Sequence, residues 1–148
     1  MIAYIDTSAL AKCYIREPRS LEVLEWAERH KGAATAVLTL VEFRCMLARR
    51  RRAKEIDGAL ERSALAQFDS HVRNDAWRIH QISFGDYAEA RDLIETLPEL
   101  PLRTLDALHL AAARSINATE FASSDITQLK AARALGFNPD ASTGGLGA

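Results

Sequence analysis

The chain has 148 residues, of which 48% are hydrophobic and 26% are charged, and its formal net charge is −1. These values predict one globular domain with a substantial core, and they exclude a protein that is basic throughout and binds nucleic acid by charge alone. No apolar run approaches the roughly 20 residues that span a bilayer, and the first residues lack the basic segment of a signal peptide. We therefore expect a cytoplasmic protein with no membrane contact.

Short apolar stretches alternate with segments of helical periodicity along the chain. Strands are predicted at residues 2–5, 34–38, 77–82, 119–123 and 137–138. Helices are predicted from residue 7, at 20–30, from 39 to the arginines near 50, and at 54–72, 84–97, 104–116 and 126–135. This alternation is typical of an α/β fold with a mostly parallel sheet.

The domain is predicted to cover residues 1–140, with no internal repeat and no linker. Residues 141–148 are rich in glycine and serine and are predicted to form a mobile tail. In the helix at 20–30, the periodicity places Leu21 and Leu24 on the inner face, together with Ala27 or Trp26.

Four acidic residues each lie where an apolar stretch meets the start of a predicted helix. They are Asp6, Glu42, Asp106 and Asp125. Two of them directly follow predicted strands, at the sheet edge where open parallel sheets bind ligands. Acidic side chains are rarely buried without a partner, and like charges ~4 Å apart repel by roughly 4 kcal/mol at an effective dielectric constant of about 20. If the fold brings the four together, we expect them to hold a hard divalent cation such as Mg²⁺ or Mn²⁺.

Each acid also has a purely structural interpretation as a helix cap. Asp6 and Asp125 are placed to cap the helices that follow them, and Asp106 lies in a first turn, where the helix dipole favours an acid. Glu42 and Thr39 match a capping box. Spacing alone leaves both interpretations open.

Six basic residues crowd into eleven positions around the end of the predicted helix that starts at residue 39. They are Arg44, Arg49, Arg50, Arg51, Arg52 and Lys54. Such a run is able to contact phosphates. Cations at the carboxyl end of a helix are also favoured by the macrodipole, and charge alone favours this second interpretation.

The remaining residues that often carry chemistry have structural interpretations. Cys13 and Cys45 show no metal-ligand spacing and are interpreted as reduced thiols at apolar helix positions. His109 is interpreted as a packed or hydrogen-bonded helix histidine rather than a catalytic one. Trp26 and Trp77 are interpreted as core or dimer contacts rather than as platforms for base stacking.

Four segments, in order and with matching spacing, carry a resemblance to a known family. They are residues 4–10 (YIDTSAL), 41–43 (VEF), 102–111 (LRTLDALHLA) and 123–125 (SSD). The chain resembles PIN-domain proteins over residues 1–138, and more narrowly the VapC-type toxins of bacterial toxin–antitoxin pairs. The resemblance implies a three-layer α/β/α sandwich with a mostly parallel sheet of four to five strands.

The resemblance also implies a metal-dependent endoribonuclease that hydrolyses RNA phosphodiester bonds. The four acids would bind one or two Mg²⁺ or Mn²⁺ ions directly or through water, with Asp6 and Asp106 favoured as direct ligands. Ser8 and Ser123 match positions whose hydroxyl groups support the metal ligands. The family more often has threonine at the position of Ser123, where this chain keeps the hydroxyl group.

The partners implied by the resemblance are RNA, a cognate antitoxin and a second copy of the chain in a homodimer. Contact with DNA would be indirect, through the antitoxin. Arg103, Arg49 and Arg50 are candidates for contacts with the RNA backbone.

Two alternative functions stay open from the sequence. One is a PIN-domain nuclease of RNA maturation or repair, and the other is a non-catalytic module that binds RNA or a protein and uses the acids as helix caps. An aspartate-nucleophile phosphatase is disfavoured, because Ser8 stands where that chemistry usually places a second acid.

Overall fold

The computed structural model describes residues 1–139, so the tail predicted at 141–148 lies outside the described residues. Within them, five short strands form one parallel sheet in the order β3-β2-β1-β4-β5. The strands are β1 Ala3–Ile5, β2 Ala34–Ala36, β3 Arg78–His80, β4 Glu120–Ala122 and β5 Asn138–Pro139. The mostly parallel sheet predicted from the sequence is confirmed.

Seven α-helices connect and flank these strands in the described part of the chain. They are α1 Thr7–Leu10, α2 Ser20–Arg29, α3 Thr39–Arg52, α4 Gly58–Arg73, α5 Phe84–Thr96, α6 Thr104–Ser115 and α7 Ile126–Ala134. A short 3₁₀ helix, Ala11–Cys13, continues directly from α1. The strands and helices predicted from the sequence correspond to these elements, with ends that differ by a few residues.

The central strand β1 shows why the molecule has three layers. Ala3 and Ile5 point into one hydrophobic core, which contains buried residues of α1 to α4. Tyr4, between them, points into a second core against α5, α6 and α7. Because successive side chains of a strand alternate between faces, an apolar strand of this kind is buried on both sides. The predicted α/β/α sandwich is therefore confirmed.

An aromatic cluster fills the first core. The ring of Tyr14 lies 5.4 Å from that of Phe43 and 5.8 Å from that of Phe68, measured between centroids. Trp77 Nε1 donates a 2.7 Å hydrogen bond to the Tyr14 hydroxyl oxygen. Trp77 and Trp26 are both buried, which agrees with their interpretation as core residues.

Helix α2 departs from the predicted orientation. Val23 and Trp26 are buried, whereas Leu21 and Leu24 are 67% and 47% exposed, so the prediction of an inner face with these leucines was wrong. The buried face begins at Ser20, whose hydroxyl group donates to the Ile15 carbonyl oxygen, and it continues at spacings of three residues. Val23 and Trp26 pack into the first core and define the rotation of the helix, which periodicity alone did not.

The two cysteines differ in their surroundings. Cys13 is half-buried beside the first core, but Cys45 is exposed on α3, so its expected apolar position was wrong. Within residues 1–139, no helix combines the length and apolar character needed to cross a membrane.

The strand order places a switch point beside β1. From β1 the chain builds the sheet outwards through β2 and β3, and then returns to the other side of β1 with β4. The amide of Asp6 donates to the Ala122 carbonyl oxygen at 3.0 Å, so the two strands end side by side. Open α/β sheets bind ligands beyond the carboxyl ends of strands at such a point.

Candidate active site at the carboxyl edge of the sheet

A pocket of about 360 Å³ opens at this edge of the sheet. All four acids singled out from the sequence line it, although they come from four separate segments of the chain. They are Asp6, Glu42, Asp106 and Asp125. The convergence that spacing alone could not establish is therefore present in the fold.

Asp6 lies at the floor of the pocket and is 4% exposed. Its Oδ1 accepts hydrogen bonds from Ser8 Oγ (2.7 Å) and from the amide of Ala9 (3.1 Å), while Oδ2 accepts from Ser123 Oγ (2.6 Å). Burial raises the pKa of Asp6 above its usual 3.8, and His109 and these hydrogen bonds oppose that rise only in part. A nearby cation would therefore stabilise the ionised form of this carboxyl group.

Ser8 and Ser123 fix Asp6 and also join the loops that follow β1 and β4. Ser8 Oγ accepts from the amide of Ser124 at 3.0 Å, and Ser123 Oγ accepts from the amide of Asp125 at 3.0 Å. Both serines, predicted to support the metal ligands, therefore contact Asp6. Each hydroxyl group bonds simultaneously to a carboxylate and to a backbone amide, which leaves Asp6 little rotational freedom.

Glu42 lies in the first turn of α3 and is held by distant residues. Its Oε1 accepts from Thr7 Oγ1 at 2.7 Å and lies 2.7 Å from His109 Nε2. The expected capping box differs from the structure, since Leu38 is the N-cap of α3 and has no side-chain capping bond. The Thr39 hydroxyl group instead contacts Thr7 Oγ1 at 2.9 Å.

His109 contributes to the site more directly than the sequence indicated. Its ring is 3% exposed, and Nδ1 lies 2.6 Å from the Tyr4 hydroxyl oxygen while Nε2 faces Glu42. The expectation of a hydrogen-bonded histidine is met, but the contact with Glu42 was missed. The available signal was its spacing of three residues from Asp106, which puts both on one side of α6.

Asp106 and Asp125 act as helix caps and also face the pocket. Asp106 Oδ2 accepts from the amide of Arg103 at 3.1 Å, and Asp125 Oδ1 accepts from the amide of Gln128 at 3.0 Å. Arg103 contacts both acids, with Nε 3.4 Å from Asp106 Oδ2 and Nη2 3.9 Å from Asp125 Oδ2. Capping and participation in the pocket are therefore compatible for these two residues.

Basic side chains also line the pocket. Arg49 and Arg50, both predicted to contact RNA, line it together with Lys12. Glu17 pairs with Lys12 Nζ at 3.0 Å and with Arg50 Nη2 at 2.5 Å. Lys12 and Glu17 were not among the predicted site residues, because an isolated lysine and glutamate five residues apart give no signal without the fold.

The donor set of the pocket suits a hard divalent cation. The four acids offer only carboxylate oxygens, hydroxyl groups donate hydrogen bonds to two of them, and neither cysteine lines the pocket. Among residues 1–139, however, no three acidic, histidine or cysteine side chains already form a ready metal-ligand cluster. The charge of Asp106 and Asp125 is instead partly balanced by Arg103, whose side chain is 80% exposed.

Comparison with known proteins identifies the family. The sequence pattern of the PIN domain matches residues 3–134. This chain belongs to the PIN-domain family. It is also 34% identical over 140 residues to Ribonuclease VapC47 of Mycobacterium tuberculosis, with 90% of this chain and 92% of that protein covered. The resemblance to VapC-type PIN proteins that the four sequence segments carried is confirmed.

Solved structures of VapC and related proteins share the fold. VapC20 of Mycobacterium tuberculosis, described as a sarcin-ricin loop cleaving toxin, has a TM-score of 0.69 and 19% identity, covering 92% of this chain and 96% of that one. VapBC2 of Rickettsia felis, bound to a DNA fragment from its promoter, has a TM-score of 0.66 and 18% identity, with 95% of this chain and 98% of that one covered. FitAcB of Neisseria gonorrhoeae has a TM-score of 0.63 and 18% identity, with 94% of this chain and 96% of that one covered. At these identities the similarity establishes the fold.

Proposed function

We propose that this chain is an endoribonuclease that hydrolyses RNA phosphodiester bonds and acts as the toxin of a toxin–antitoxin pair. The observation that carries the proposal is the convergence of four acids on one pocket at the switch point of the sheet. The family and the relative named Ribonuclease VapC47 support the same activity.

In this proposal the acidic end of the pocket holds Mg²⁺ or Mn²⁺. Asp6 and Asp106 are the preferred direct ligands, Glu42 and Asp125 bind directly or through water, and Ser8 and Ser123 support the ligands. When bound, such an ion lowers the pKa of a water molecule and neutralises charge that grows on the phosphate oxygens. One or two ions are compatible with four carboxylates.

The protein's own residues orient the reacting groups. Ser8 and Ser123 hold the Asp6 carboxylate, and Thr7 and His109 fix Glu42, so that both acids present a constant position to the substrate. Because preorganised groups need no rearrangement during the reaction, such support favours the transition state. The guanidinium groups of Arg103, Arg49 and Arg50 are proposed to contact the RNA backbone.

The proposed partners are RNA, a cognate antitoxin and a second copy of this chain. The VapBC2 structure contains a DNA fragment from its promoter. The proposed arrangement for this chain is that it meets DNA only through its antitoxin. A nuclease of RNA maturation or repair would use the same site without an antitoxin. Co-purification with the product of an adjacent small reading frame would distinguish these two roles.

Cleavage of labelled RNA by the purified protein tests the activity. Asp6→Asn and Asp106→Asn should stay folded and lose cleavage by orders of magnitude, because each removes a carboxylate from the pocket. The matched control is Asp69→Asn, an exposed acid on α4 outside the pocket, which should cleave at the parent rate. Parent-like cleavage by both pocket variants would show that the assignment of these acids is wrong.

Metal binding has a separate readout in thermal unfolding. A ligand present at 100 times its dissociation constant stabilises the folded state by about 2.7 kcal/mol, so Mn²⁺ should raise the Tm of the parent but not of Asp106→Asn. RNA binding without cleavage, together with no Mn²⁺ effect on either protein, would favour the non-catalytic binding module.

A further inference from the structure

We propose that Lys12, Glu17 and Arg50 form a subsite for one phosphodiester group of the RNA backbone, in the same pocket as the four acids. This inference rests on the proposed ribonuclease function and deepens it. Two of these residues, Lys12 and Glu17, have had no assigned role.

The three side chains meet from different parts of the fold. Lys12 lies in the 3₁₀ helix after α1, Glu17 in the loop before α2, and Arg50 near the end of α3. Each Glu17 oxygen takes one cation, with Oε1 3.0 Å from Lys12 Nζ and Oε2 2.5 Å from Arg50 Nη2. Lys12 Nζ also donates to the Pro18 carbonyl oxygen at 2.9 Å, which fixes its position further.

Restricted exposure separates this group from the rest of the arginine run. The side chains of Lys12, Glu17 and Arg50 are 13%, 17% and 25% exposed, whereas Arg51 and Arg52 are exposed to solvent. Cations that are already held in place lose less conformational freedom when they bind a phosphate. A prepositioned lysine and arginine are therefore better suited to a defined contact than mobile surface cations.

The charge of the group favours an anion. Partial burial raises the pKa of Glu17, but its bonds to Lys12 and Arg50 lower that pKa by more, so the carboxylate is ionised at neutral pH. Glu17 then faces two cations inside the pocket. A second acid, Glu55, lies 3.9 Å from Arg50 Nη1, but its side chain is 58% exposed and does not line the pocket, so it offsets the charge of Arg50 only weakly.

The location of these two cations favours contact with the RNA backbone. Lys12, Glu17 and Arg50 line the same pocket as the four acids. The acids repel the RNA backbone in the absence of a cation, and lysine and arginine are the usual contacts of phosphate oxygens. An RNA strand that crosses the pocket thus meets the acids with the scissile phosphate and the Lys12–Arg50 pair with a neighbouring one.

The test is the salt dependence of RNA binding in EDTA, measured by fluorescence anisotropy with a short labelled single-stranded RNA. For single strands, log K changes with log salt by about −0.7 for each neutralised phosphate. Lys12→Gln and Arg50→Gln should each weaken binding and make the slope less steep by up to about 0.7. Glu17→Gln should strengthen binding at low salt and make the slope steeper, because it removes the neutralising charge.

The opposite signs distinguish a phosphate subsite from a structural cluster. Lys12→Gln and Glu17→Gln break the same ion pair, so a structural role would change RNA affinity in the same direction in both. The matched control is Arg44→Gln, which removes an arginine of the same helix that is paired with Glu61 at 3.2 Å but lies outside the pocket. It should leave the slope unchanged.

Measurement without divalent metal keeps this test separate from the test of cleavage. If the parent cleaves RNA but Lys12→Gln and Arg50→Gln have the same slope as the parent and Arg44→Gln, the subsite is overturned and the ribonuclease function stands. If Lys12→Gln and Arg50→Gln leave the slope unchanged but lose binding to a glutamate-rich peptide that the parent binds, the subsite is also overturned. Lys12 and Arg50 would then be assigned to contact with a protein partner. If Lys12→Gln and Arg50→Gln alter the slope but the parent does not cleave RNA, the proposed ribonuclease function is overturned instead.

Discussion

Nε2 of His109 lies 2.7 Å from Oε1 of Glu42, so a buried ring on α6 holds an acid on α3. The two helices cover opposite faces of the sheet, since α3 contributes to the first core and α6 to the second. Their contact passes over the carboxyl edge of β1, where Thr7 adds a second hydrogen bond to the same oxygen. The orientation of Glu42 therefore depends on the correct assembly of both layers.

Replacing His109 by phenylalanine should remove the hydrogen bond between His109 Nε2 and the Glu42 carboxylate. A buried hydrogen-bonding group that loses its partner costs about 1–3 kcal/mol, so the free energy of unfolding should fall by that amount. Groups that orient metal ligands typically change affinity or activity by about 10–100-fold, and we expect a similar loss in the rate of RNA cleavage. Urea denaturation and cleavage kinetics measure the two effects.

Tyr4→Phe provides the control for the His109 variant. It removes the Tyr4 hydroxyl group that contacts Nδ1 of His109, and it leaves the contact between His109 Nε2 and Glu42 in place. It should therefore lower stability with a smaller effect on cleavage. Cleavage at the parent rate by His109→Phe would refute a positioning role for this histidine.

Arg103 should compete with a divalent cation for the acidic end of the pocket. Its guanidinium group contacts Asp106 and Asp125, so replacement by glutamine removes a positive charge from two proposed ligands. The midpoint of the Mn²⁺-dependent rise in Tm should therefore move to a lower metal concentration. RNA binding should weaken at the same time, because the same group is proposed to contact the backbone. A midpoint at higher Mn²⁺ concentration would show that Arg103 instead organises the ligands.

The sequence was sufficient to predict the sheet and the four acids, because both depend on local patterns. Strand β1 is a short apolar segment that ends in an acid, and the segment around Asp106 joins an apolar helix to a polar first turn. The resemblance to PIN-domain proteins then supplied the step from four separate motifs to one shared pocket.

Other features depended on contacts between distant residues and were not predictable in this way. Leu21 and Leu24 satisfy helical periodicity, but Val23 and Trp26 are the residues of α2 that pack into the first core. Glu17 carries no signal in its own neighbourhood, since its second partner is Arg50, 33 residues away.

The two cysteines should differ sharply in reactivity. Burial raises the pKa of Cys13 to about 12, so almost none of this thiol is ionised at neutral pH, whereas Cys45 is exposed. Because the thiolate is the reactive form, iodoacetamide should add one group to the native protein, at Cys45. Mass spectrometry should show no addition to native Cys45→Ser and two additions to the unfolded parent. Modification of native Cys13 as fast as Cys45 would contradict its burial.

Asp6→Asn should reveal the cost of the buried carboxylate in the absence of metal. Burial raises the folded-state pKa of Asp6 above the value of 3.8 expected in the unfolded chain. Between these two pKa values the folded state binds a proton that the unfolded state has released, so this contribution to stability is lost as pH rises. Asparagine caps helices about as well as aspartate and carries no charge.

In EDTA at neutral pH, the Asp6→Asn variant should therefore be more stable than the parent. A gain of about 1 kcal/mol would raise Tm by roughly 2–4 °C, and the difference should shrink as pH falls through the folded-state pKa and vanish below 3.8, where Asp6 is protonated in both states. Saturating Mn²⁺ should reverse the order, because only the parent keeps all its proposed ligands. A variant less stable than the parent at every pH in EDTA would mean that the hydrogen bonds from Ser8, Ser123 and the Ala9 amide outweigh the cost of burying the charge.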